Sequence, residues 1–293
     1  MAATTAQISL RATGRVRRRK LMNRAMEGIS TGAAVLAIGV LALVVATVAL
    51  KAAPALSWHL FTRPPSLFGG QGGLSSAIVG SALILGMATG MALPVGVLTA
   101  VYLTEFAPRV VAAPVQLVLD MLNGMPTIIT GIFVYGLLVI GHVQSAYAGA
   151  FALAVVMLPL VARATQEVLL VVPSTLREAS LALGVSRWRT VVGIILPSAL
   201  GGVMTGTVIA IARVAGETAP LLFTCSIFSP ALSTDVTHAL PNLPVLIFQY
   251  SEQPDPSLHQ QAWAASLVLM AFVLVASLAA RGLLARYRRK LEG

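Results

Sequence analysis

Six stretches of this chain are apolar for about as long as a bilayer is thick. They cover approximately 28–50, 75–103, 115–141, 147–172, 191–223 and 261–284. A helix needs about 20 such residues to cross the hydrocarbon layer, so an all-α membrane protein with six transmembrane helices is predicted. Composition agrees: 57% of residues are hydrophobic and 10% are charged, against roughly 25% charged in an ordinary soluble domain. The spans and their links use most of the length, so a single membrane domain over 28–287 is expected. The single Cys225 excludes an intrachain disulfide and a cysteine-based metal cluster.

Between the spans lie a basic tail over 1–27, an irregular loop with Pro54, Pro64, Pro65 and Gly69, Gly70, Gly72 and Gly73, a proline-rich loop over 226–260, and a second basic tail over 288–293. A signal peptide has an apolar region of about 7–15 residues. The stretch 28–50 is longer and reads as an uncleaved first span. With both termini inside, 17 of the 20 Lys and Arg residues are cytosolic. The excess of positive charge on cytosolic segments therefore places both termini of this multi-pass protein in the cytosol. The formal charge of +10 does not read as nucleic-acid binding, because the basic residues sit at span ends, where they meet lipid headgroups.

Two spans carry polar groups. In the third, Asp120, Asn123, Thr127 and Thr130 recur at steps of three and four, on one face if the span is one helix. Such groups either line a water-filled path or bond between helices. In the fifth, Arg213 and Glu217 are spaced to meet on one helix. A charge inside the bilayer costs about 2.5 kcal/mol or more, so either a functional pair or a structural ion pair fixing helix register is expected. A guanidinium suits a tetrahedral oxyanion. A carboxylate beside it would accept a hydrogen from a protonated phosphate oxygen and repel a fully deprotonated anion.

A polar stretch, 173–190, separates the fourth and fifth spans. Thr175 and Glu178 have the spacing of a capping box, and Gly184 is placed to stop the helix. Leu176, Ala179, Leu183 and Val185 give it an apolar side. It reads either as a helix lying on headgroups or as one that another protein surface receives. The order Glu178-Ala179-Ser180, three residues, Gly184, nine residues, Ile194-x-Leu196-Pro197 resembles the EAA motif of permease subunits of bacterial ABC importers. Ser180 in place of a second alanine is the one departure. The resemblance implies that 173–190 is the coupling helix, docking on an ATPase through Glu178, Ala179, Ser180, Gly184 and Arg187.

Arg213, Gly216-Glu-Thr-Ala-Pro-Leu-Leu222 and Asn123-Gly-Met-Pro-Thr-Ile-Ile-Thr-Gly-Ile-Phe-Val-Tyr135 resemble permeases of phosphate-specific ABC importers. This implies the type I importer permease fold and a path for inorganic phosphate past Arg213 and Glu217, to which the residues themselves add Asn123, Thr127 and Thr130. The implied partners are a second homologous permease (PstC-like), an ATPase dimer (PstB-like) and an external phosphate-binding protein (PstS-like). No Gly-x4-Gly-Lys-Ser/Thr stretch is present, so the chain holds no P-loop of its own. The expectation is a non-enzymatic subunit with no cofactor and no metal. His59, His142, His238 and His259 are scattered near span ends and loops. The alternatives are a permease for another oxyanion such as phosphonate or sulfate, an ATP-independent channel or proton-coupled carrier, and an intramembrane enzyme. The coupling motif argues against the second, and the missing catalytic set against the third.

Overall fold

A computed structural model describes residues 14–66 and 72–292. Residues 1–13 of the basic tail, Gly69 and Gly70 of the first loop, and Gly293 lie outside the described residues. Among those described, all regular structure is helical. Five helices are long and apolar enough to cross a membrane: Val16–Ala55, Ser75–Phe106, Ala146–Val171, Arg187–Val214 and Pro256–Ala279. A sixth span is formed if the bent pair Arg109–Gly124 and Thr127–Val139 counts as one.

The chain divides after Leu50 into two units. The first, where described, is helical from Arg15, the start of α1 (Arg15–Ala52). The tail expected over 1–27 is thus already helix from residue 15, because arginine, lysine, methionine and alanine are good helix formers.

The second unit holds α2 (Trp58–Thr62), α3 (Ser75–Val101), α4 (Arg109–Gly124), α5 (Thr127–Val134), α6 (Ala146–Val171), α7 (Ser174–Ala182), α8 (Arg187–Thr190), α9 (Leu196–Val214), α10 (Ala219–Thr224), α11 (Leu243–Ser251) and α12 (Pro256–Glu292). Its main core lies between α3 and α6, joined by α9 and α10. On α3, Gly80, Ile84, Ala88, Ala92, Gly96 and Ala100 recur every fourth residue and are all buried. From Ile84 onward they face α6, whose Ala150, Leu153, Met157 and Val161 are buried in turn, while Gly80 lies against Pro241. Lipid gives helices no hydrophobic reason to associate, so close packing of small residues supplies the attraction. Gly96 is needed for it, since a methyl group there would lie 2.9 Å from Val161.

A second core joins Leu60 of α2, Ala77 of α3, Leu243, Leu246 and Tyr250 of α11, and Leu258, Ala262 and Ala265 of α12. The stretch expected as a loop over 226–260 therefore contains a packed helix. Asn242 starts it: its side chain accepts a hydrogen bond from the Val245 N–H (3.1 Å) and donates to the Cys225 carbonyl (2.9 Å). Such a cap, with apolar residues behind it, makes a helix out of what proline content alone reads as a loop. Earlier in that stretch Asp235 accepts from the Thr237 hydroxyl (2.6 Å) and N–H (3.0 Å). These bonds hold its carboxyl down to about 2, so it is ionised at any pH a cell meets.

Candidate functional site

The third span is not one helix. α4 ends at Gly124, Met125 and Pro126 are extended, and α5 leaves at 100° to α4. Pro126 supplies no N–H and drives the residue before it out of the helical region. The face expected to unite Asp120, Asn123, Thr127 and Thr130 is therefore divided. Asp120 and Asn123 stay on α4, while Thr127 opens α5 and Thr130 is buried one turn further, at 3% exposure. Asp120 receives Arg163 of α6 in an ion pair, and that guanidinium also reaches Gln166 Oε1 at 3.5 Å. Asn123 is exposed.

The fifth span is broken as well. α9 stops at Val214, and α10 begins at Ala219 with Pro220 in its first turn. Gly216 lies in the break, where the Glu217 N–H donates to the Val214 carbonyl (3.0 Å). Arg213 and Glu217 thus do not share one helix and do not pair, unlike Arg163 with Asp120 and Arg177 with Glu105. The break removes the one-turn geometry on which the expected pairing rested. Arg213 is exposed in the last turn of α9.

What meets instead is the start of the two half-helices. α5 packs on α10 closely enough that a methyl group on Gly131 would lie 2.8 Å from the Pro220 Cα. This brings Thr127 to Glu217, and the threonine hydroxyl donates to Glu217 Oε2 at 3.0 Å. The half-buried carboxylate has no other hydrogen-bond partner among the described residues. A carboxylate with accepting capacity to spare can take a further hydrogen from a donor. Among the described residues no group of three or more His, Cys, Asp or Glu could hold a metal ion.

The EAA segment forms α7, a turn, and α8. Its helix starts at Ser174 after Pro173, and no side chain caps it. Thr175 is therefore inside the helix, where its hydroxyl cannot serve the first N–H groups, and the expected capping box is not formed. Gly184 does end the helix, at φ +74°, a conformation with no steric cost for glycine. Glu178, Ala179 and Arg187 are exposed, as are Leu176, Leu181 and Leu183, the last at 83%. The apolar side of α7 is thus uncovered in this chain.

Ser180 is the exception, buried at 3% and 2.7 Å from the Thr190 hydroxyl. The one departure from the family pattern therefore ties α7 to α8. Thr190 also donates to the Ser186 carbonyl (3.2 Å), so Ser180→Ala leaves it one partner. The substitution is expected to cost about 1 kcal/mol, read as a small drop in the thermal midpoint of the purified protein with transport retained.

One pair escaped sequence reasoning. Arg177 of α7 turns back to Glu105 at the end of α3's continuation. Its Nε lies 3.2 Å from both carboxylate oxygens and its Nη2 lies 2.7 Å from Oε1. The same guanidinium donates to the Val172 carbonyl (2.8 Å) and the Leu169 carbonyl (3.0 Å) at the end of α6. Glu105 is 4% exposed. Nothing in the local sequence marks the two as partners.

Comparison with known proteins matches residues 92–291 to the family model described as binding-protein-dependent transport system inner membrane component. The chain is 40% identical over 259 residues to the phosphate transport system permease protein PstA of Haemophilus influenzae, covering 87% of this chain and 91% of that one. It is 37% identical over 266 residues to the protein of the same name in Pasteurella multocida, covering 90% and 94%. Among solved structures it resembles a bacterial ABC transporter involved in the import of alginate, at a TM-score of 0.64 and 16% identity over 92% of this chain and 99% of that one. It also resembles the inward-facing MetNI methionine ABC transporter, at a TM-score of 0.56 and 20% identity over 73% and 93%. The fold is that of a type I ABC importer permease.

Proposed function

The chain belongs to the family of binding-protein-dependent transport system inner membrane components, and from that premise we propose that it is the PstA-type permease subunit of an ATP-driven importer of inorganic phosphate. One observation carries the reading: Thr127 and Glu217 form a polar junction where two spans break, in a chain whose relatives are named for phosphate transport. Membership of this family implies an ATPase partner and a binding protein. Here they are a PstB-like ATPase pair and a PstS-like external protein, together with a PstC-like second permease. Both termini and the α7–α8 segment lie in the cytosol, in accord with the distribution of basic residues.

In this reading the exposed side of α7 docks on the ATPase through Glu178, Ala179 and Leu183, with Ser180 and Gly184 setting its shape and Arg187 at the rim. Closure of the ATPase pair on ATP displaces α7 and rocks the spans between outward-open and inward-open states. Phosphate released outside crosses between the two permeases. Arg213, exposed at the end of α9, offers it a guanidinium fork, and Glu217 accepts a hydrogen from its protonated oxygen. Asn123 flanks the facing break between α4 and α5, and Thr127 orients Glu217. Thr130, buried behind Thr127, supports the α5–α10 packing. Binding at such a site must stay weak enough for the ion to leave.

The test is labelled phosphate uptake into vesicles holding the four-component complex, with and without ATP and with excess unlabelled sulfate. Uptake is expected to require ATP, to resist sulfate, and to fall by about tenfold or more in Arg213→Gln, the value of one charge-assisted hydrogen bond. Uptake of sulfate in place of phosphate would overturn the substrate. Uptake without ATP would overturn the coupling role of α7.

A further inference from the structure

The Arg177–Glu105 pair is placed to do more than cap a helix. We propose that Glu105 and Arg177 are positioning residues that lock α7 to the ends of α3 and α6, so that displacement of α7 reaches both spans as a single rigid movement. The inference rests on the reading of α7 as the coupling helix and deepens it. It names the internal contact through which the movement passes.

Three observations support it. First, one guanidinium joins three elements: the carboxylate at the end of α3's continuation, the last carbonyls of α6, and its own helix α7. α7 cannot tilt against either span without breaking bonds to both. Second, α7 has little else to hold it. Ser180 is its only buried residue, and its one side-chain bond is to Thr190 of α8, at the start of the fifth span. A cavity of about 190 Å³ opens beside the pair, between Leu181, Arg187, Thr190 and Ile195, where packing would otherwise stiffen the joint. Third, the pair is sheltered. A buried carboxylate left without its partner is strongly unfavourable, so the joint stays closed through the cycle instead of slipping. A two-oxygen, fork-shaped contact also fixes angle as well as distance, which a single lysine would not.

The test uses the full complex in vesicles, with matched amounts of assembled protein. Wild type, Glu105→Gln and Arg177→Lys are compared for phosphate uptake and for binding-protein-stimulated ATP hydrolysis. Spin labels at exposed Ser174 of α7 and Leu98 of α3 report their separation, and Cys225 is buried away from the label. Both variants are expected to keep stimulated hydrolysis while phosphate moved per ATP falls by about tenfold, within the roughly 5–150-fold typical of a lost coupling between sites. The label separation should broaden. Arg177→Lys, which keeps charge and loses the fork, separates angular locking from mere attraction. Unchanged transport per ATP in both variants would overturn the proposal. So would uptake and hydrolysis falling in proportion with an unbroadened separation, which is the signature of simple destabilisation. Wild-type uptake that ignores ATP would overturn the importer reading and the lock with it, and it shows before any substitution is made.

Discussion

Glu217→Gln is expected to lower phosphate uptake by about tenfold to a hundredfold and to let sulfate compete. The amide oxygen of glutamine can still accept the Thr127 hydroxyl, now 3.0 Å from Glu217 Oε2, so the joint between α5 and α10 should survive. What disappears is the negative charge. A hydrogen bond to a charged acceptor is worth about 1.5–3 kcal/mol, against about 1 for a neutral pair, and each 1.4 kcal/mol is about tenfold. Phosphate near neutral pH carries a proton that a carboxylate can take in a hydrogen bond, whereas sulfate has none and meets only repulsion. Glutamine weakens the first interaction and removes the second. The check is an uptake assay titrated with sulfate, run beside Thr127→Val. The valine variant keeps the charge and loses only its orientation, so it should slow uptake while retaining discrimination. If Glu217→Gln transports and discriminates like wild type, Glu217 is a structural residue of the break.

That prediction places the charge where the structure puts it, not where helical spacing did. The span count was legible because bilayer thickness is a constraint local to each segment, and six apolar stretches record it. Gly184 was legible for the same reason, since one glycine in a left-handed conformation ends one helix. The breaks carried signals too: Gly124 and Pro126 in one span, Gly216 and Pro220 in the other. Counting steps of three and four assumed an unbroken helix and so paired Arg213 with Glu217. The real partners come from tertiary packing. Thr127 is 90 residues from Glu217, and Glu105 is 72 from Arg177. No local pattern specifies which linker carboxylate a guanidinium will choose, because the choice depends on how α3 and α6 end beside each other.

The second large effect concerns the seam that carries both functional ends. α6 leads into α7, and α9 carries Arg213 in its last turn. The two helices touch where Gly202 and Gly206 present no side chain to Val168 and Ala164. A methyl group on Gly206 would lie 2.5 Å from the Ala164 Cβ, where ordinary contact is 3.4–4 Å. Alanine has no rotamer to turn away, so the backbones must separate. Overpacking of this kind costs about 1–3 kcal/mol, and Gly206→Val should exceed the alanine cost because two further methyl groups meet the same wall. Lipid does not offset the loss, since helix association in a bilayer rests on the packing itself. Gly206→Val is therefore expected to lower the thermal midpoint sharply and to deplete assembled complex, with uptake lost in proportion to the complex that remains. Gly193, with nothing within 4 Å of an added methyl, is the control, and Gly193→Ala should behave as wild type. Equal stability of the two variants would mean that α6 and α9 can part without consequence. Movement of α7 could then no longer be passed through α6 to the end of α9 where Arg213 waits.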